Sequence, residues 1–147
     1  MRWRPGRAPS VTYRKAEIRP TRPEDEALLF GLARLDRGAD ERTLDVLEHE
    51  TTFVAEIDGR PAGYVALVVD ADAGRVRIDQ LFVAPEHEAE GVGRQLLEYA
   101  EGFAIAQGAG ALDVVAAEDD ARAVAFYRGR GFVPVGDDLF ELVLPRT

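Results

Sequence analysis

The stretch from Val83 to Leu97, VAPEHEAEGVGRQLL, decides the fold. Its first residues close a β-rich run that Pro85 stops, and its last residues begin a helical pattern. Between them, Gly91 and Gly93 permit a tight turn in which an anion can approach the backbone without meeting a Cβ atom. The unpaired N–H groups and positive dipole end of the following helix favour a phosphate or pyrophosphate there. A strand, a glycine turn and a helix are therefore predicted to form the functional centre.

The same stretch contains negative charges that repel an anion. Glu86, Glu88 and Glu90 precede the turn, and no lysine accompanies them. Each such charge disfavours a phosphate by about 1 kcal/mol or less at a protein surface. Arg94, one residue past the second glycine, offsets part of this effect. The backbone N–H groups of the turn remain available whichever side chains surround them.

Composition excludes several kinds of chemistry. The 147-residue chain has no cysteine, so disulfides, a thiolate nucleophile and zinc–thiolate sites are excluded. Its two histidines, His49 and His87, stand far apart, which argues against a Ser-His pair or a histidine-rich metal site. The acidic run from Glu86 to Glu90 has no neighbours that complete a ligand set, so no metal is predicted.

Charge is distributed unevenly along the chain. Residues 1–15 carry five basic residues and no acid, whereas residues 16–147 carry 13 basic and 27 acidic residues. The first segment is predicted to be a disordered basic tail, and the second a single domain. An acidic domain repels nucleic acid and attracts a cationic substrate. The alternative is that the charge only keeps the protein in solution.

Hydropathy gives no sign of a membrane segment. The longest apolar run, YVALVV, is far too short to cross a bilayer. The first ten residues lack the apolar stretch of a secretory signal. We therefore expect a cytoplasmic protein with no membrane and no nucleic-acid partner.

Periodicity predicts a mixed α/β domain with the element order β-α-α-β-β-β-α-β-α-β. The Asp58-Gly59 pair between two β-rich runs predicts a hairpin. Strands are expected over 16–21, 51–57, 61–70, 74–85 and 111–118, with one or two more within 132–144; helices are expected over 22–38, 43–49, 92–107 and 121–130.

Two separated motifs resemble those of the GNAT acyltransferase superfamily. The family's first motif is a strand ending Leu-Xaa-Val-Xaa-Pro and then Arg/Gln-Xaa-Xaa-Gly-Xaa-Gly/Ala, which residues 81–85 and 88–93 match. The second is Asn-Xaa-Xaa-Ala-Xaa-Xaa-Phe/Leu-Tyr and then Gly-Phe, which residues 120–127 and 131–132 match. Two positions depart from the family pattern: position 88 is Glu rather than Arg or Gln, and position 120 is Asp rather than Asn.

The resemblance implies the GNAT fold, a mixed central sheet flanked by helices. It also implies transfer of an acetyl group from acetyl-CoA, as co-substrate, to a primary amine on a small molecule or a protein. Because the chain has no cysteine for an acyl-enzyme, direct attack in a ternary complex is expected. The departures at Glu88 and Asp120 keep open a non-catalytic acyl-CoA-binding or interaction module of the same fold. Dimers are common in this family, so a homodimer remains open.

Two residues are candidates for catalysis by the same resemblance. Tyr127 matches the family tyrosine near the CoA sulfur, where a phenol with a free pKa of about 10 can protonate the leaving thiolate. The alternative is an aromatic core residue. Asp79 stands where enzymes of this family that act on small amines often carry a carboxylate that binds the ammonium or takes its proton. The alternative is a salt bridge to Arg75 or Arg77.

A period of two along this strand predicts that Arg77, Asp79, Leu81 and Val83 share one face. Gln80 and Phe82 are then expected on the opposite face, as packing residues. By resemblance, the coenzyme contacts the strand end, the glycine turn and the last helix. The residues expected there are Leu81, Phe82, Val83, Glu88, Ala89, Glu90, Gly91, Val92, Gly93, Arg94, Asp120 and Phe126.

Overall fold

A computed structural model of the protein describes residues 13–37, 50–117 and 119–145. The helix predicted over 43–49 and the first twelve residues of the predicted tail lie outside these ranges. The elements in chain order are β1 (Glu17–Pro20), α1 (Pro23–Arg37), β2 (Thr51–Ile57), β3 (Arg60–Asp70), β4 (Arg75–Val83), a 3₁₀ helix (Pro85–Glu90), α2 (Val92–Ala106), β5 (Ala111–Val115), α3 (Ala121–Gly129), β6 (Val133–Gly136) and β7 (Leu139–Val143).

The strands form one seven-stranded sheet in the order β1-β2-β3-β4-β5-β7-β6. Neighbouring strands are antiparallel except β4 and β5, which are parallel and are joined by α2. The mixed α/β class is thus confirmed, and the chain end contributes two strands. No helix among the described residues is long and apolar enough to cross a membrane.

The predicted hairpin between β2 and β3 is confirmed. Ile57 pairs with Arg60, and the two residues between them both have positive φ, 54° at Asp58 and 76° at Gly59. Positive φ at both central positions is typical of the type I′ turn that matches the twist of the flanking strands.

The core lies on both faces of the sheet. The expected apolar stripe of α2 packs on one face, where Val92, Leu96 and Leu97 are fully buried. A smaller cluster on the other face contains Leu29 of α1 and Phe82 of β4. The central strands are therefore covered on both sides along the length that leads to the glycine turn.

A close backbone approach holds β3 against the end of β4. A Cβ atom at Gly63 would lie 2.4 Å from the carbonyl oxygen of Phe82 and 3.2 Å from the Cα of Val83. No side chain fits in that space without moving the strand, so glycine is required here by contact rather than by backbone conformation.

The start of α1 is fixed by an ion pair. The guanidinium of Arg19 donates two hydrogen bonds to Asp25, at 2.7 and 3.0 Å, and also binds Glu56. The same carboxylate accepts a 2.7 Å bond from the backbone N–H of Arg22, which caps the helix. These bonds, first of all those from Arg19, lower the pKa of Asp25 below its ordinary value.

β4 contains a bulge that the sequence pattern did not predict. The pairing with β3 passes from Ala66–Gln80 to Leu67–Ile78. Asp79 is thus the extra residue of the bulge.

The bulge reverses the faces of β4. Val76 and Ile78 belong to the core beneath α2, and Leu81 and Val83 pack against that same core. Arg77 lies between Val76 and Ile78 in the strand, so it faces the opposite side of the sheet. The prediction that Arg77 shares a face with Leu81 and Val83 was wrong, because an inserted residue shifts the period by one.

Candidate active site

β4 and β5 separate where the site begins. Their parallel pairing runs from Arg75–Ala111 to Ile78–Val114 and ends there, although β4 continues to Val83. A cavity of about 260 Å³ opens beyond the last pair. Its lining residues are Tyr64, Ile78, Asp79, Gln80, Leu81, Phe82, Val114, Val115, Ala116, Ala117, Asp120, Ala123 and Tyr127. We call this the splay cavity.

The polar wall of the splay cavity is built by the bulge. Asp79 and Gln80 both line it, and the hydroxyl of Tyr64 donates a 2.7 Å hydrogen bond to Oε1 of Gln80. Tyr64 is 1% exposed, and a buried tyrosine hydroxyl usually has a hydrogen-bond partner such as this one. Gln80 was predicted to be a packing residue, and the structure adds this hydrogen bond and a position on the cavity wall.

The two arginines considered as partners of Asp79 both bind another residue. Arg77 Nε lies 3.0 Å from Asp113 Oδ1, and Arg75 Nη1 lies 3.3 Å from Asp113 Oδ2. Asp113 is 1% exposed, and a carboxylate this deeply buried requires such charged partners.

A second cavity, of about 550 Å³, adjoins the first. The two share the residues Leu81, Asp120, Ala123 and Tyr127. The second extends past the glycine turn, and its remaining lining residues are Tyr13, Val83, Glu88, Gly91, Gly93, Arg94, Arg122 and Phe126. We call it the coenzyme cavity. Together the cavities form one groove that follows β4 from Asp79 to the start of α2.

The glycine turn has the geometry that an anion needs. Gly91 has φ of 78°, a left-handed conformation, and it ends the 3₁₀ helix and begins α2. Gly91 has no side chain, so no side-chain cap binds the first N–H groups of α2, and Gly91, Gly93 and Arg94 line the cavity at this helix start. A Cβ atom at Gly93 would lie 3.5 Å from Val83 and 3.7 Å from Phe126. The uncapped helix start beside this cavity fits the diphosphate of a CoA molecule.

The three glutamates before the turn point to different places. Glu90 forms an ion pair with His87 and lies 3.7 Å from Arg14, and Glu86 lines a separate cavity on the hairpin side. Only Glu88 of the three lines the coenzyme cavity, where its carboxylate is 3.3 Å from Arg122.

Charges in the coenzyme cavity are balanced rather than negative. Arg94 and Arg122 line it beside Glu88 and Asp120. The acidity of the loop is thus mostly directed away from the anion-binding end of α2.

The second family motif keeps its structural role despite its altered first residue. Asp120 precedes α3, and its Oδ1 accepts a 3.1 Å hydrogen bond from the backbone N–H of Ala123. Either Asp or Asn can cap a helix in this way.

Tyr127 is both a core residue and a wall of the groove. It is 7% exposed, and its ring lies 5.1 Å from Phe126 and 5.3 Å from Phe132, measured between centroids. It also lines both cavities. The two alternatives weighed for this residue therefore do not exclude each other.

The structure brings most of the predicted site residues to the groove. Asp79 and Phe82 line the splay cavity; Val83, Glu88, Gly91, Gly93, Arg94 and Phe126 line the coenzyme cavity; and Leu81, Asp120 and Tyr127 line both. The side chain of Val92 is instead fully buried, and that of Glu90 is held by His87. Ala89 lies in the 3₁₀ helix.

Ten lining residues were not predicted as site residues: Tyr13, Tyr64, Ile78, Gln80, Val114, Val115, Ala116, Ala117, Arg122 and Ala123. Tyr64 carries a signal in the sequence, since it is the only polar residue in the apolar run YVALVV and its hydroxyl needs a partner. Gln80 has no such signal because the bulge that exposes it to the cavity is set by pairing with β3. Tyr13 falls within the predicted tail.

Comparison with known proteins agrees with this geometry. The profile of the "Acetyltransferase (GNAT) family" matches residues 15–132. The chain is similar to streptothricin acetyltransferase of Streptomyces lavendulae, at 40% identity over 88 residues, which is 59% of this chain and 47% of that protein. It is similar to IAA acetyltransferase of Azospirillum brasilense, at 31% identity over 100 residues, which is 64% of this chain and 65% of the other. The matches thus span about half and about two thirds of these relatives.

A solved structure shows the same fold over nearly the whole described chain. PaiA N-acetyltransferase from Thermoplasma acidophilum, in complex with coenzyme A, superposes with a TM-score of 0.73 at 19% identity. The superposition covers 88% of this chain and 99% of that one. With the family profile matched over residues 15–132, the chain belongs to the GNAT acetyltransferase family.

Proposed function

We propose that the protein is an N-acetyltransferase that moves the acetyl group of acetyl-CoA to a primary amine by direct attack in a ternary complex. The observation that carries this proposal is the groove. Its coenzyme cavity has an uncapped helix start that suits a diphosphate, and its splay cavity contains a carboxylate. The two meet at Tyr127, where donor and acceptor would come together.

The coenzyme cavity would hold the donor through the backbone. The first N–H groups of α2, at Val92, Gly93 and Arg94, bind the diphosphate, and Arg94 and Arg122 add positive charge. β4 continues to Val83 past its last pair with β5, and this edge of the strand would receive the pantetheine arm and the acetyl carbonyl. Bound acetyl-CoA supplies an activated acyl group as its thioester.

The splay cavity would activate the acceptor. Asp79 accepts the proton that the ammonium must lose before its nitrogen attacks, directly or through a water molecule. As the C–N bond forms and the C–S bond breaks, Tyr127 gives its phenolic proton to the leaving sulfur. The nitrogen loses its second proton as the amide forms, and this proton restores the phenol of Tyr127, directly or through water. The proton held by Asp79 passes to solvent, so the enzyme returns to its starting state.

The acceptor is proposed to be a cationic amine. Asp79 and Gln80 form the polar wall of the splay cavity, and residues 16–147 are strongly acidic. Such a field attracts a cation and raises its rate of encounter. Streptothricin is one acceptor to test, because the relative named for it is 40% identical over 88 residues. Small-molecule and protein amines both belong in the test.

The test has two stages. Calorimetric titration with acetyl-CoA at low and moderate salt measures donor binding, and release of free CoA thiol with a panel of amines measures transfer. We expect binding, and turnover with at least one cationic amine. In Tyr127→Phe, turnover should fall while acetyl-CoA binding is retained. Tyr99→Phe, a change of the same kind at a tyrosine that lines neither cavity of the groove, should retain both.

The alternative, a non-catalytic acyl-CoA-binding module, predicts a different result. It would bind acetyl-CoA with no turnover for Tyr127→Phe to remove. Absence of binding at millimolar acetyl-CoA would contradict both.

A further inference from the structure

The segment Tyr13–Ala16, which we call the strap, is tied to the start of α2 by a buried side chain. Gln95 is 7% exposed. Its Nε2 donates a 2.6 Å hydrogen bond to the carbonyl of Arg14, and its Oε1 accepts a 2.9 Å bond from the N–H of Ala16. The N–H of Arg14 donates a 3.0 Å bond to the carbonyl of Glu90. The strap is therefore fixed to both sides of the glycine turn.

Charge adds a second anchor. The guanidinium of Arg14 lies 2.5 Å from Asp58 in the hairpin turn and 3.7 Å from Glu90 at the end of the 3₁₀ helix. Both pairs are at or near the surface, so each contributes little stability alone. They nevertheless orient the backbone that carries the preceding residue, Tyr13.

The strap places an aromatic ring on the wall of the coenzyme cavity. Tyr13 lines that cavity, and its Cδ2 lies 3.0 Å from where a Cβ atom of Gly91 would stand. The ring thus packs on Gly91, where a side chain would occupy its place. Tyr13 is nevertheless 58% exposed, so a large part of it remains available to a ligand.

The order of groups along a CoA molecule determines which of them would contact the Tyr13 ring. If the diphosphate binds at Gly91–Arg94 and the thioester reaches Tyr127, the adenosine 3′-phosphate must leave the turn on another side. Tyr13 adjoins the turn but does not line the splay cavity, where the acyl end would lie. An exposed aromatic ring at this position matches the flat face of a purine base.

We infer that Tyr13 binds the adenine base of the donor by stacking, with the strap and Gln95 holding the ring in place. This inference rests on the proposed function. It assigns part of the donor affinity to a residue outside both family motifs. It also explains how a turn that carries Glu88 in place of a cationic or amide side chain retains contact with the nucleotide end of the coenzyme.

The experiment compares acetyl-CoA with a donor that lacks its 3′-phospho-AMP part. Acetyl-CoA contains it, whereas S-acetyl-4′-phosphopantetheine has the same thioester arm and a phosphate without it. Dissociation constants for both are measured by calorimetry with wild type, Tyr13→Ala, Tyr13→Phe and Tyr99→Ala. Because base–aromatic stacking is lost, Tyr13→Ala should raise the Kd of acetyl-CoA by about 5- to 20-fold. Its Kd for S-acetyl-4′-phosphopantetheine should be unchanged, and Tyr13→Phe and Tyr99→Ala should resemble wild type.

Two results would overturn the inference alone. Equal weakening of both donors would mean that Tyr13 supports the turn rather than the adenine, and no weakening of either would mean that it does not contact the donor. If the wild-type protein binds neither donor, the proposed function fails, and the inference fails with it.

Discussion

Ile78 and Val114 form the last pair of the parallel ladder, and the next residue of β4, Asp79, is the bulge against β3. β4 therefore loses its regular pairing with both neighbours at one point. The bend that results opens the splay cavity and places a carboxylate on its wall. The bulge in β4 thus accounts for both the position of the splay cavity and the carboxylate on its wall.

The first prediction concerns this carboxylate. Asp79→Asn should lower kcat by about 10²- to 10³-fold, because an amide cannot accept the amine proton. The Kd of acetyl-CoA should not change, since Asp79 lines only the splay cavity. Steady-state kinetics with calorimetry test both statements. Asp72→Asn, in the exposed turn before β4, serves as the control.

A different outcome would reassign Asp79. If KM for the amine rises while kcat is retained, the carboxylate binds the ammonium and does not take its proton.

The second prediction concerns the glutamate in the coenzyme cavity. Glu88→Gln should lower the Kd of acetyl-CoA at low salt by about two- to fivefold, as expected for loss of a surface charge repulsion of up to 1 kcal/mol. Glu88→Arg should tighten binding further. The gain should fade as salt rises, because mobile ions screen exposed charges.

Glu86→Gln is the matched control, since this side chain lines a cavity on the hairpin side instead. Equal effects of the two Gln variants would show that the total charge of the loop matters, not the position of Glu88.

The third prediction tests the contact between β3 and β4. Gly63→Ala should lower the free energy of unfolding by about 2 to 4 kcal/mol, because its Cβ would lie 2.4 Å from a backbone oxygen of Phe82. Gly102→Ala, on an exposed helical position with nothing within 4 Å, should raise it by about 0.5 to 1 kcal/mol. Chemical denaturation of the two variants measures both. A stable Gly63→Ala protein would show that the strands can separate there without cost.

The fourth prediction concerns the pH dependence of stability. Hydrogen bonds from Arg19 lower the pKa of Asp25 in the folded protein below the ordinary value of 3.8. The folded state then holds the charged form more strongly than the unfolded state does. The resulting stabilisation is complete above the ordinary pKa and is lost as the pH falls through the lower folded pKa.

Asp25→Asn should therefore lower the free energy of unfolding at pH 7 by about 1 to 3 kcal/mol. The difference from wild type should shrink when both are measured at pH 3 and below. Glu24→Gln, an exposed acid in the same first turn of α1, is the control and should show little difference at either pH. A difference that stays constant with pH would mean that the Arg19 pair is not the cause.

The sequence predicted the order of the described elements because the relevant signals are local. Asp58-Gly59 specified its turn through two positive φ values, and the apolar stripe of α2 specified its buried face. The glycine turn and the Asp120 cap could likewise be predicted from the sequence, since each depends on residues within a few positions of one another.

Features set by distant pairing could not be read from one sequence. The bulge at Asp79 depends on which residue of β3 faces which residue of β4, and it placed Arg77 on the face opposite Leu81 and Val83. The position of Tyr13 depends on hydrogen bonds to Gln95, more than 80 positions away along the chain from Arg14. No period or motif near Tyr13 indicates that contact.

The strap also determines where another molecule can be attached to the protein. The N–H of Leu144 bonds to the carbonyl of Gly110, at the Ala111 end of β5, while the splay cavity opens at the Val115 end. These ends are about 13 Å apart along the strand. A fusion partner or surface tether joined after β7 therefore starts away from the groove. One joined ahead of Tyr13 starts at the wall of the coenzyme cavity, so a purification tag there would alter the donor affinities proposed for measurement.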